Sequence, residues 1–168
     1  KPEQAAILRK AGAKHVLDST APDFMAALID VLTETGATLG FDAIGGGPLA
    51  GQILVAMEAA ASRGAEYSRY GSTTHKQVYI YGRLDLSATT VPPGAGMAWG
   101  MGGYLLTYFL QKIGADGRRR LRDRVVAGLC TTFASHYTRE ITLAQMLDPE
   151  TARTYNGKAT GEKFLVVP

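Results

Sequence analysis

The sequence contains a single cysteine, Cys130, in 168 residues. One thiol excludes an internal disulfide framework and any thiolate metal cluster within the chain. It fits a reducing, cytoplasmic setting, and Cys130 itself is expected to be a small buried hydrophobe. Histidine is equally sparse: His15, His75 and His136 lie far apart in the chain, and none forms a ligand-spaced pair that would hold zinc. No apolar run reaches the length of a membrane span, and there is no internal repeat or low-complexity tract. Also missing are a Ser-His-Asp pattern and a carboxylate pair in a catalytic setting, so no catalytic residue can be assigned. The most telling absence is a strand–GxGxxG–helix unit. Gly94-Ala95-Gly96-Met97-Ala98-Trp99-Gly100 imitates one, but Trp99 stands where glycine is needed, and prolines rather than a strand precede it.

Hydrophobic residues make up 46% of the sequence and charged residues 20%, which describes a folded domain rather than a disordered segment. Lys1-Pro2-Glu3-Gln4 reads as neither a signal peptide nor a natural start. Pro2 and Gly12 bracket a first helix, and His15-Val16-Leu17-Asp18 reads as a short strand. Between Pro22 and Gly36, the residues Phe24, Ala27, Leu28, Val31 and Leu32 form one helical apolar face. A strand over Thr38 to Asp42 leads into a helix with the stripe Leu49, Ile53, Leu54 and Met57. The polar run from Ser62 to Lys76 is a loop, expected to be a mobile surface excursion; covering a ligand or contacting a partner subunit through Arg63, Tyr67, Arg69 and Tyr70 is the alternative. Gln77 to Gly82 is a strong strand, Met97 to Met101 a weaker one, and Tyr104 to Ile113 is helical.

Net charge is +3, and much of the basic excess lies in Arg118-Arg119-Arg120-Leu121-Arg122-Asp123-Arg124. With Leu121, Val125 and Leu129 every four residues, this describes an amphipathic helix with a basic outer face. A solvated face is the expectation; binding of nucleic acid is the sharper alternative. Beyond Cys130, Ser135 to Ile141 reads as a strand and Thr142 as the cap of a short helix. Asp148-Pro149-Glu150 reads as a cap, a first-turn proline and an acidic first turn, and Phe164 to Val167 as a final strand. Helices alternating with strands predict a mostly parallel sheet with helices on its faces.

The run Thr38-Leu39-Gly40-Phe41-Asp42-Ala43-Ile44-Gly45-Gly46-Gly47 holds the best candidate site. A buried strand entering a glycine turn brings bare backbone to the carboxyl end of a sheet, where ligands of open α/β folds gather. An ordinary strand-to-helix turn is the plainer reading, and Asp42 would then serve to stabilise that turn.

Four segments in series resemble the medium-chain dehydrogenase/reductase superfamily, and within it the NADPH:quinone oxidoreductase branch, often labelled zinc-binding dehydrogenase. They are Pro2-Glu3-Gln4 with Leu8 to Asp18, Phe41 to Gly46, Tyr79 to Gly82, and Ala159-Thr160-Gly161-Glu162-Lys163-Phe164-Leu165-Val166-Val167-Pro168. The resemblance runs almost end to end but matches only the later half of such an enzyme. It implies an incomplete Rossmann-type, doubly wound parallel sheet, whose first two strands and glycine fingerprint are absent. A partial dinucleotide-binding domain would cover residues 1–129, and residues 130–168 would form a segment returning to the catalytic domain.

The implied activity is NADPH-dependent hydride transfer to a quinone or conjugated carbonyl, the small-molecule electron acceptor, with the chain inactive alone and weak in NADP binding. Ile44, Gly45, Gly46, Gly82 and Arg83 would lie near the nicotinamide ribose. Lys1 would meet the ribose 2′-phosphate, and Thr160, Gly161 and Lys163 would form a loop over the cofactor. Family position also places Trp99 in a sixth strand that pairs across a homodimer axis. A zinc-dependent alcohol dehydrogenase and a nucleic-acid-binding relative using the basic helix are the alternatives, and no membrane partner is expected.

Overall fold

The computed structural model describes residues 2–157 and 162–168. In chain order the elements are α1 (Pro2–Lys10), α2 (Phe24–Thr35), β1 (Leu39–Asp42), α3 (Leu49–Ala61), β2 (Lys76–Ile80), β3 (Trp99–Gly103), α4 (Leu106–Lys112), α5 (Gly114–Ala127), β4 (Arg139–Thr142), α6 (Leu143–Met146), α7 (Pro149–Asn156) and β5 (Phe164–Val167). They fall into two compact units, residues 15–114 and residues 1–14 with 115–168. The fold is α/β with parallel sheets, as the alternation of elements predicts.

The unit of residues 15–114 is built on a parallel sheet in the order β1-β2-β3. α3 lies against it: Ala50, Leu54 and Val78 are fully buried, with Ile53, Ile80 and Met101 packed around them. The close approach is set by Gly40, where a Cβ would stand 3.1 Å from an Ile53 methyl and 3.3 Å from a Val78 methyl. The other side of α3, through Ala56 and Met57, packs on Leu32, Leu28 and Ile29 of α2. α2 ends where Gly36 takes a left-handed conformation and returns its N–H to the Leu32 carbonyl. On the opposite side of the sheet the rings of Phe41, Tyr79, Tyr104 and Phe109 form a cluster with centroids 5.7–5.8 Å apart.

Several strand expectations change, and the strand expected from Gln77 to Gly82 runs instead over Lys76–Ile80. His15-Val16-Leu17-Asp18 is irregular. A strand exists through its hydrogen-bonded neighbour, and no described strand pairing includes these residues; Asp18 instead accepts the N–H and hydroxyl of Thr20 in a local turn. β3 spans Trp99–Gly103 rather than Met97 to Met101. Its ends are set by register with β2, Lys76 opposite Trp99 through Ile80 opposite Gly103, because Gly100, Gly102 and Gly103 carry no side-chain pattern.

In the other unit, β4 and β5 form a parallel pair, Arg139 opposite Phe164 through Thr142 opposite Val167. Only Arg139–Ile141 of the expected Ser135 to Ile141 strand is paired, together with the cap residue Thr142. Thr142 and Gln145 complete a capping box at α6, and the Asp148 carboxylate accepts the Thr151 N–H at the start of α7. α5 forms as the basic helix, but its stripe is not an inner face: Leu121, Val125 and Leu129 are all exposed. Cys130 is likewise exposed, not buried, because it lies in the irregular segment after α5, outside any packed layer.

Candidate functional site

Asp42 ends β1 almost fully buried, and its Oδ1 accepts the N–H groups of Ile44 (2.8 Å) and Gly45 (3.2 Å). This carboxylate forms the turn. The next three residues, Gly45, Gly46 and Gly47, all have positive φ, at 70°, 42° and 65°. Residues with a Cβ resist that geometry. The turn also runs against the segment after β2. A Cβ on Gly82 would collide with the Ala43 carbonyl oxygen, one on Gly45 would stand 2.6 Å from the Gly82 carbonyl oxygen, and one on Gly46 would stand 2.7 Å from Asp85 Cγ. Hydrogen bonds stitch the two segments together. Leu84 and Asp85 N–H donate to the Ile44 carbonyl at 2.8 and 3.0 Å, and Gly47 N–H donates to Ser87 Oγ and the Ala88 carbonyl at 3.0 and 3.2 Å.

A cleft of about 870 Å³ opens at the carboxyl ends of β1, β2 and β3. Four of the expected site residues line it together: Gly45, Gly46, Gly82 and Arg83. Ile44 contributes its backbone to the stitch, while its side chain is exposed and outside the lining. Lys163 lies in the other unit, with its ammonium on Ser135 Oγ (2.6 Å) and over the Tyr137 ring. Lys1, Thr160 and Gly161 lie outside the described residues. Asp85, Ser87, Thr89 and Tyr104, which the sequence does not single out, also line the cleft. Their signal was positional, since the first three follow Gly82 and the last follows β3 directly at the same carboxyl end.

The chemistry of the cleft is that of a site for a flat ring and a sugar. Tyr104 presents a ring held by its three aromatic neighbours, and Ser87 and Thr89 offer hydroxyls. Three N–H groups of the glycine turn are engaged within the protein rather than free for a phosphate: Ile44 and Gly45 N–H by Asp42, and Gly47 N–H by Ser87 and Ala88. A carboxylate, Asp85, stands against the turn, and the Ser87 N–H and hydroxyl hold its carboxyl below the ordinary carboxylate range. Gly45, Gly46 and Gly82 leave bare backbone at the wall of this cleft.

A buried ion pair anchors the strand that delivers Gly82. Glu58 of α3 and Lys76, the first residue of β2, are both buried and in direct contact. The Glu58 carboxylate also accepts the Ser72 N–H (2.6 Å) and the hydroxyls of Ser62 and Ser72 (2.7 and 2.8 Å). Burial pushes its carboxyl up, but these donors, Lys76 foremost, outweigh burial and leave the pKa lowered to about 2. The loop between α3 and β2 is thereby tied down at both ends, while Tyr67 and Tyr70 at its tip stay exposed.

No family model matches the chain, and neither does any curated protein. Solved structures do. A candidate NADPH:quinone reductase of Mesorhizobium loti aligns over 100% of this chain at 26% identity and a TM-score of 0.70. A mutant enoyl thioester reductase of Candida tropicalis aligns over 99% at 14% identity and a TM-score of 0.58. An Etr1p mutant solved with NADP and crotonyl-CoA aligns over 93% at 15% identity and a TM-score of 0.57. The chain spans 44% of the length of the first two. The resemblance carried by the four sequence segments thus extends to the fold, over less than half of each neighbour's length. No helix among the described residues is long and apolar enough to cross a membrane.

Proposed function

We propose that this chain is the later part of the cofactor domain of an NADPH-dependent oxidoreductase that reduces a quinone or a conjugated carbonyl. The observation that carries the reading is the cleft itself. It is formed where glycine turns from two adjacent parallel strands meet, in a chain that aligns end to end with a candidate NADPH:quinone reductase. In this reading the cofactor supplies the hydride, and the chain's own groups bind, orient and exclude water. Gly45, Gly46 and Gly82 let the nicotinamide ribose approach the backbone, Arg83 lies beside the ribose, and Tyr104 forms a wall. The pyrophosphate would be held by a glycine fingerprint elsewhere, so the chain by itself would be inactive. The outer edge of β3, beginning at Trp99, is the proposed homodimer contact; it borders the sheet and has no described strand partner on that side.

Fluorescence titration with NADPH and NADH tests the reading. The expected result is weak binding of both by this chain alone, through the nicotinamide end. Tight NADPH binding would contradict the view that the phosphate-holding part lies outside it.

A further inference from the structure

Asp85 stands out among the residues that line the cleft, because a site that receives part of an anionic dinucleotide gains nothing from an added negative charge at its rim. The carboxylate is nevertheless held in place. Its Oδ1 accepts the Ser87 N–H at 2.8 Å, Ser87 in turn accepts the Gly47 N–H at 3.0 Å, and Asp85 N–H donates to the Ile44 carbonyl at 3.0 Å. A Cβ on Gly46 would stand 2.7 Å from Asp85 Cγ, so the carboxyl group lies directly on the glycine turn. The other formal charge in the lining is Arg83, and no described ion pair joins the two. The remaining ionisable groups of the lining are the phenols of Tyr81, Tyr104 and Tyr108.

Resting on the proposed function, we infer that Asp85 is a charge-selecting residue, whose carboxylate favours the cationic, oxidised nicotinamide ring over the neutral, reduced one. The two redox forms of the ring differ by one positive charge. When hydride leaves, the ring's C4–H bond breaks, both electrons go with the hydrogen to the acceptor carbon, and the ring becomes a pyridinium cation. The acceptor, now an anion, takes a proton from water. A fixed carboxylate beside the ring stabilises the charge that appears there, and does so more strongly late in the transfer than at its start. The same charge repels phosphate, in keeping with a turn in which the N–H groups of Ile44, Gly45 and Gly47 are taken within the protein.

The test uses ligands without phosphate, so that the dinucleotide's own negative charges drop out, while Arg83 is the same in wild type and variant. The chain is titrated with 1-methylnicotinamide, a cation, and with 1-methyl-1,4-dihydronicotinamide, its neutral reduced form, following backbone amide shifts of Gly45, Gly46 and Gly82 by NMR. The expected result is preference for the cation by about two- to fivefold, the scale of an exposed charge pair, abolished in Asp85→Asn. Asparagine keeps an oxygen acceptor for the Ser87 N–H, and unchanged shifts elsewhere report an intact fold. Binding of both forms with equal affinity in the wild type, or a preference that survives Asp85→Asn, overturns the role of Asp85 and leaves the cleft assignment standing. Binding of neither form overturns both.

Discussion

Replacing Glu58 with glutamine removes one charge from the buried pair and little else. Lys76 Nζ then keeps the Thr74 carbonyl (3.0 Å) and Ser72 Oγ (3.2 Å) as acceptors but loses its counter-ion in a site without solvent. The size of the effect follows from the carboxyl's folded pKa, lowered from 4.5 to about 2, which corresponds to about 3 kcal/mol. That matches the cost of breaking other buried pairs, about 3–5 kcal/mol. The sign is fixed by the direction of the shift. The stabilisation is complete above pH 4.5 and is lost as pH falls toward 2, because the unfolded chain takes up the proton first. Urea unfolding followed by Trp99, the single tryptophan, reads the affected unit, since its indole N–H donates to Gly96, whose Cα lies close to the Glu58 carboxylate. At pH 7 the midpoint of Glu58→Gln should fall by about 1–2 M urea. The gap should narrow through pH 4 and close near pH 2. Equal midpoints at pH 7, or parallel pH profiles down to 2, would refute the argument that this pair secures β2.

Gly82→Ala should destabilise the unit of residues 15–114 by about 2–4 kcal/mol, because its methyl meets the Ala43 carbonyl and a backbone atom cannot rotate away. Gly103→Ala, whose methyl meets nothing within 4 Å, should cost less than about 1 kcal/mol; equal losses in urea unfolding would discredit the close approach of the two turns. Cys130 should react with a chromogenic disulfide reagent in the native chain at the rate of an exposed thiol, and slow reaction that speeds up only in denaturant would place it in a packed layer.

Much of this fold was legible because its local rules are strong. Thr142 with Gln145, Asp148 with Pro149, and Gly36 after α2 mark helix ends through hydrogen bonds made within a few residues. Phe164–Val167 is continuous in β-branched and apolar residues and was found in register. What was not legible depends on partners distant in sequence. His15-Val16-Leu17-Asp18 has strand composition but no described strand beside it. β3 is three-fifths glycine, so only its pairing with β2 defines its ends. Glu58 and Lys76 are 18 residues apart, and nothing in a polar loop announces that its last lysine is buried. The same division holds at the cleft. Gly45 and Gly46 are legible from the backbone geometry that their turn requires, whereas Gly82 is implied only by the family resemblance. Asp85 and Tyr104 were not, because their place depends on how two loops meet.

The central claim is that the cleft at the ends of β1 and β2 receives the nicotinamide end of the cofactor. Titration with oxidised nicotinamide mononucleotide, mapped by backbone amide shifts, tests it most directly, because that ligand carries the ring and ribose without the adenylate half. The account predicts saturable shifts centred on Gly45, Gly46, Gly82 and Arg83. Shifts centred instead on the arginines of α5, or no saturable shifts at all, would contradict it.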